Sequence, residues 1–207
     1  MAEAKTTIPN SDSRDTTRTY KQLVSDLGRD ALVIVGTGAS IAATKSGLAS
    51  WTGLLKNGAQ ECESHEDSLR GGFVQTLNHL IDSNDPDQLL RAASIIGGKL
   101  SKLAPGQYAR WLADTVGSPK AKNPAIIEAI RNLSLPLATT NYDGLLSADK
   151  QLFPITWAEH SRLESFYEKK GNTILHLHGY YEDPESVMLG LDDYERINSS
   201  DKAEHFL

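Results

Sequence analysis

The sequence predicts an α/β fold built on a parallel sheet, and three observations carry that expectation. An apolar run over residues 31–35 leads directly into the glycine-rich turn Gly36-Thr37-Gly38-Ala39-Ser40. Such a run fits a strand buried on both faces of a parallel sheet. Two later apolar stretches, 135–140 and 173–177, run into the polar groups Asn141-Tyr142-Asp143 and His178-Gly179. Segments of helical spacing alternate with the late strands, as a parallel sheet requires for its crossovers.

The elements follow in order. Residues 1–18 are polar, rich in Thr, Ser and Asp, and read as a flexible arm. Apolar residues at 20, 23, 24 and 27 predict a helix that Gly28 stops. After the strand over 31–35, the glycine turn opens a helix for which Ser40 is a candidate cap. Ser50-Trp51 opens another, with Leu54 and Leu55 on one side. From about residue 50 to 131 apolar stripes at helical spacing dominate: Leu69, Phe73, Leu77, Leu80 and Ile81; Leu89, Leu90, Ala93, Ile96 and Leu100; Tyr108, Trp111 and Leu112; Ile126, Ile127 and Ile130. This stretch is expected to be a helical insertion between the first strand and the next, covering a cleft. Strands are expected over 135–140, where Pro136 leaves the first residues unpaired, over 153–157 and over 173–177. Short helices are expected after Asp143 and over 161–167.

Bulk properties narrow the function classes. The 207 residues suit one good-sized domain and carry a net charge of −6 with no long basic run. A nucleic-acid surface is therefore not advertised. Nothing approaches the roughly 18 apolar residues of a membrane span, and the N-terminus lacks a secretory pattern. The expected compartment is the cytoplasm. Cys62 is the only cysteine, so neither an internal disulfide nor a cysteine zinc site is available.

Three motifs carry chemistry. Gly36 and Gly38 allow close approach of a phosphate, and the helix beyond them offers unpaired N–H groups. The pattern is shorter than the full G-x-G-x-x-G fingerprint, and the glycines also suit a plain strand-to-helix turn. Asn141 and Asp143 stand past the end of a strand, where α/β sheets bind ligands. Asn141 suits a ribose hydroxyl or a water, and Asp143 an amide or a developing cation; both residues also shape ordinary turns. His178 ends a strand and titrates near neutrality, which suits a general base. His176 lies on the same face and reads as a core residue. His-x-His lacks a third metal ligand, so no metal is expected.

In this order the motifs resemble the sirtuin family. Gly36-Thr37-Gly38-Ala39-Ser40 is similar to its Gly-Ala-Gly-Ile-Ser loop, Thr140-Asn141-Tyr142-Asp143 to its Gln-Asn-Ile-Asp motif, and His178-Gly179 to its His-Gly. Ser50-Trp51, Leu54-Leu55 and the run from Met188 to Tyr194 resemble the sirtuin-like NAD-hydrolase domains of bacterial antiphage defence proteins. Thr37 and Thr140 depart from the usual Ala and Gln. The resemblance implies a Rossmann-like parallel sheet of sirtuin type with a helical insertion and no zinc module. It further implies that the fold continues beyond residue 207, or that a partner completes it. NAD is the implied substrate, with no metal. Asn141 would place the ribose or water, His178 would accept a proton and Asp143 would contact the carboxamide or stabilise the cation. Gly36, Thr37, Gly38, Ala39, Ser40 and Thr140 would hold the rest of NAD. Hydrolysis to nicotinamide and ADP-ribose would then deplete NAD in antiphage defence. A homo-oligomer, or a complex with a sensor or effector subunit, is the expected assembly, with no membrane and nucleic acid involved only indirectly, if at all. The alternative is a non-catalytic subunit that binds NAD or ADP-ribose. An ordinary oxidoreductase fits poorly, because no acidic residue stands on a second strand about 20 positions past the glycine turn.

Overall fold

The computed structural model describes residues 18, 31–83, 85–148, 152–168 and 172–199. The chain divides after Leu32 into two compact units, and the second, from Val33 onward, holds every element named below. The expected arm over residues 1–18 (Arg18 aside) and the expected helix over 20–27 lie outside the described residues.

The sheet has four parallel strands: β1 Val33–Val35, β2 Leu137–Thr139, β3 Phe153–Thr156 and β4 Thr173–His176, in the order β1-β2-β4-β3. Register aligns Val35 with Thr139 and Thr139 with His176, so the carboxyl ends of β1, β2 and β4 finish level with one another. The strands are shorter than the sequence predicts. β2 starts only at Leu137, after Pro136, which has no N–H to give to a ladder.

Alternation decides what each sheet face meets. Val35, Leu137 and Ile174 face one side and pack with Ala43 of α1 (Thr37–Thr44) and Ile127 of α6 (Ala125–Arg131). Ala138, Leu175 and Ile155 face the other side and pack with Leu163 and Phe166 of α7 (His160–Tyr167). That cover stops short of β1, where Ile34 is 60% exposed.

Between β1 and β2 the described elements are helical: α1, α2 (Trp51–His65), α3 (Phe73–Ile81), α4 (Pro86–Leu103), α5 (Gln107–Leu112), a π-turn over Ala113–Gly117, and α6. Ser50 caps α2, its Oγ accepting from Gly53 N at 3.1 Å, as its position before the apolar stripe leads one to expect. Asp85 caps α4 in the same way. The stripes read from sequence converge on one core: Leu54, Leu55 and Cys62 of α2, Leu77 and Ile81 of α3, Ile96 and Leu100 of α4, and Trp111 and Leu112 of α5. Burial pushes the Cys62 thiol up to about 11, so it is a packed, inert group.

Two local expectations differ from the structure. Ser40 does not cap α1; Gly36 is the cap residue and Ser40 lies inside the helix, turned toward the sheet ends. No helix follows Asp143 over 143–147. Asp143 Oδ1 accepts from Leu145 N at 3.0 Å, closing a turn in place of a helical turn. The chain ends its described course in α8 (Leu191–Asn198). Among the described residues no helix is long and apolar enough to cross a membrane.

Candidate functional site

Backbone bonds at the strand ends build the site. Thr139 Oγ1 donates to Val35 O at 2.9 Å and accepts from Asn141 N at 3.0 Å. Thr140 N donates to Val35 O. The two loops leaving β1 and β2 are thereby pinned side by side. Across the next strand, His176 Nδ1 lies 2.9 Å from Asn141 O. A carbonyl only accepts, so Nδ1 carries the proton, and Nε2 is left buried without a partner. Burial pushes the His176 pKa down to about 4, consistent with a neutral ring. His176 is therefore the core histidine that its alternation with His178 suggests.

The polar side chains form a chain. Asn141 Nδ2 donates to Ser40 Oγ at 2.8 Å and to Gly36 O at 3.2 Å. Ser40 Oγ donates in turn to Asp143 Oδ2 at 2.6 Å. Asn141 is 4% exposed, and its Oδ1 is buried with no partner among the described residues. An unpaired buried acceptor costs free energy unless something donates to it, so this atom is a ready place for a ligand hydroxyl or a water. Burial raises the Asp143 pKa above the ordinary carboxylate range, while the bonds from Ser40 and from Leu145 N oppose that rise.

His178 stands apart from this chain. Its imidazole has no hydrogen bond to any described residue, and burial lowers its pKa below the usual 6.5. Its backbone is held firmly: His178 O accepts from Met188 N at 2.8 Å, and Met188 O accepts from the Tyr142 hydroxyl at 2.8 Å. Gly179 adopts φ +94°, and a Cβ there would clash with Ser186 O. Only glycine lets the chain turn under the histidine at this point.

These groups share one cavity of about 240 Å³. Of the residues singled out in the sequence, Thr37, Ser40, Thr140, Asn141, Asp143 and His178 line it. Gly36, Gly38 and Ala39 shape the loop but are not among its walls. Open space lies over Gly38, where an added Cβ would meet nothing within 4 Å. The remaining wall is mainly apolar, with the hydroxyl residues Thr44, Ser50 and Thr115 among it. Leu48, Trp51, Leu54, Val116 and Met188 contribute to it, along with the ring of Tyr194. The site residues read from the motifs do not include Val116, on the π-turn, or Tyr194, on α8. Tyr194 ends the run from Met188 that carries part of the resemblance, whereas Val116 has no local signal beyond being apolar. Among the described residues no group of three or more His, Cys, Asp or Glu side chains could hold a metal ion.

One family model, described as SIR2-like domain, matches residues 136–207. The matched stretch carries Asn141, Asp143 and His178; the Gly36–Ser40 loop lies before it. The match supports a sirtuin-like domain, and the parallel sheet with flanking helices is that of a Rossmann-type α/β fold. SIR2-like domains bind NAD, so the match points to NAD-related activity in general terms.

Proposed function

We propose that this chain hydrolyses NAD at the bond between nicotinamide and ribose, giving nicotinamide and ADP-ribose. The observation that carries this reading is the largely apolar cavity lined together by Asn141, Asp143 and His178, the last without a hydrogen bond to any described residue. A flat aromatic amide suits the apolar wall, and the few polar groups suit a ribose and its leaving group.

The chemistry follows from the groups present. Departure of nicotinamide leaves positive charge on the ribose, and its ring nitrogen takes the bonding pair. The Asn141 Oδ1 acceptor holds the ribose or the attacking water. The neutral His178 imidazole accepts the proton released as the new C–O bond forms. Asp143, held by Ser40, accepts from the carboxamide or opposes the growing cation. The loop over residues 36–40, open above Gly38, cradles the pyrophosphate near the start of α1.

The helices between about residues 50 and 131 act in this reading as the cover of the cleft. NAD depletion by a cytoplasmic protein fits the antiphage domains that the motifs resemble. Unrestrained hydrolysis would harm the host, so activity is expected to depend on self-assembly or on a sensor subunit. The test is direct. The protein, in its native assembly, is incubated with NAD, and nicotinamide and ADP-ribose are followed by chromatography. His178→Ala is expected to lower turnover by about 10²-fold or more, and Asn141→Ala by a similar factor, with unchanged circular dichroism. NAD binding without turnover would favour the non-catalytic subunit. Neither binding nor turnover would sink the reading.

A further inference from the structure

Among the described residues, the ring of Tyr194 is set directly against His178. The ring centroids are 6.1 Å apart and the planes meet edge-on at 78°. Tyr194 lines the cavity, and its hydroxyl has no hydrogen bond to any described residue. The ring is also held in place. It packs beside the cluster of Trp157, Met188 and Ile197. Asp193, its neighbour on α8, accepts from Leu189 N and Gly190 N at 3.0 Å, and Arg196 donates to Glu185 O at 3.0 Å. Through Met188 the same strap is bonded to the His178 carbonyl.

A nucleophile activated by His178 must lie within hydrogen-bond reach of its imidazole, roughly 3 Å. The Tyr194 ring, edge-on to the imidazole and part of the same cavity wall, bounds that space on one side. We infer that Tyr194 selects the acceptor, closing the cavity beside His178 so that water, and no larger alcohol, attacks the ribosyl carbon. This rests on the hydrolase reading above. In that step the bond from C1′ to nicotinamide breaks, and the ring nitrogen keeps its electron pair. A C1′–O bond to water forms, and the water proton passes to His178. A larger alcohol would follow the same balance and give an alkyl ADP-riboside, but it would have to occupy the volume of the ring.

The experiment partitions the product. Nicotinamide release from NAD is measured first in plain buffer, then with methanol or 1-propanol added, and ADP-ribose is resolved from its alkyl ribosides. The wild-type protein is expected to form ADP-ribose almost alone. Tyr194→Ala is expected to raise the ratio of alkyl riboside to ADP-ribose by about tenfold or more. Tyr194→Phe, which keeps the ring, is expected to hold the wild-type ratio. Tyr194→Leu supplies the smaller side chain should the alanine variant fail to fold, and is expected to move the ratio in the same direction. An unchanged ratio in a folded Ala or Leu variant that still releases nicotinamide overturns the inference, as does free formation of alkyl ribosides by the wild-type protein. No nicotinamide from the wild-type protein in plain buffer overturns the hydrolase reading, and this inference with it.

Discussion

At the scale of single residues, two histidines two positions apart have opposite fates. His176 is fully buried and bonded to the Asn141 carbonyl, whereas His178 is half-buried and has no hydrogen-bond partner among the described residues. β4 ends at His176, and His178 stands two residues beyond it in a turn, which separates their surroundings. The pKa of His178 is lowered by burial, so its neutral form persists below the usual 6.5. If His178 is the base, kcat/KM for NAD is expected to be level above pH 6.5. It should fall only at lower pH, as the imidazole takes up a proton. A profile that keeps rising through pH 7–8 would assign the base to another group. Although both also suit an ordinary turn, and Asp143 does close one with Leu145 N, Asn141 and Asp143 were legible as site candidates from their place past a strand end. The Ser40 link between them was not, since it spans about a hundred residues of chain.

At the scale of elements, the strand ends are tied by side chains that sequence patterns do not reveal. The His176 bond to the carbonyl of Asn141 joins β4 to the loop after β2. Its pKa falls from 6.5 in the unfolded chain to about 4 in the fold. Between those values the unfolded chain binds a proton that the folded chain refuses, so stability declines as pH drops from 6.5 toward 4. The loss amounts to about 3 kcal/mol in total. His178 contributes with the same sign. Asp143 opposes both, because its raised pKa favours proton uptake in the fold. The expected result is a fall in urea midpoint over this range that is clearly shallower in His176→Gln. Equal slopes in the two proteins would mean that the ring does not stay neutral in the fold. The helix starts were readable only in part: Ser50-Trp51 opens α2 as expected and Ser50 caps it, whereas the cap at Asp85 was not read from the sequence and Ser40, the cap expected for α1, lies inside that helix. The π-turn over Ala113–Gly117 was not readable, because an extra residue in a helical turn leaves no mark on a periodic stripe.

At the scale of the whole unit from Val33 onward, the cavity lies where two cores meet. The helical core of α2 to α5 sends Trp51 and Leu54 to one wall, and the sheet ends supply the other. Leu54 and Ile96 are both buried in the helical core, yet only Leu54 lines the cavity. Truncating either is expected to cost about 2–5 kcal/mol. Leu54→Ala is expected also to raise KM for NAD by several-fold, whereas Ile96→Ala leaves KM unchanged. Urea unfolding and steady-state kinetics on the two variants check this. A shared rise in KM would mean that core loosening alone reaches the site. The sheet itself is unevenly covered, with Ile34 exposed on β1 while Ala138 and Leu175 on the same face are buried.

The sequence by itself determined the α/β class, the order of the strand and helix signals, the helix start at Ser50 and the polar residues at the strand ends. These are local properties: side-chain period, glycine and proline punctuation, and residue chemistry within a few positions. Only the tertiary structure decided which of them meet. Level strand ends carry Ser40, Asn141 and Asp143 into one hydrogen-bonded chain, and a strap after residue 186 brings Tyr194 against His178. Those meetings depend on parallel register and on packing between distant segments, and neither has a period or a neighbour to announce it in the chain.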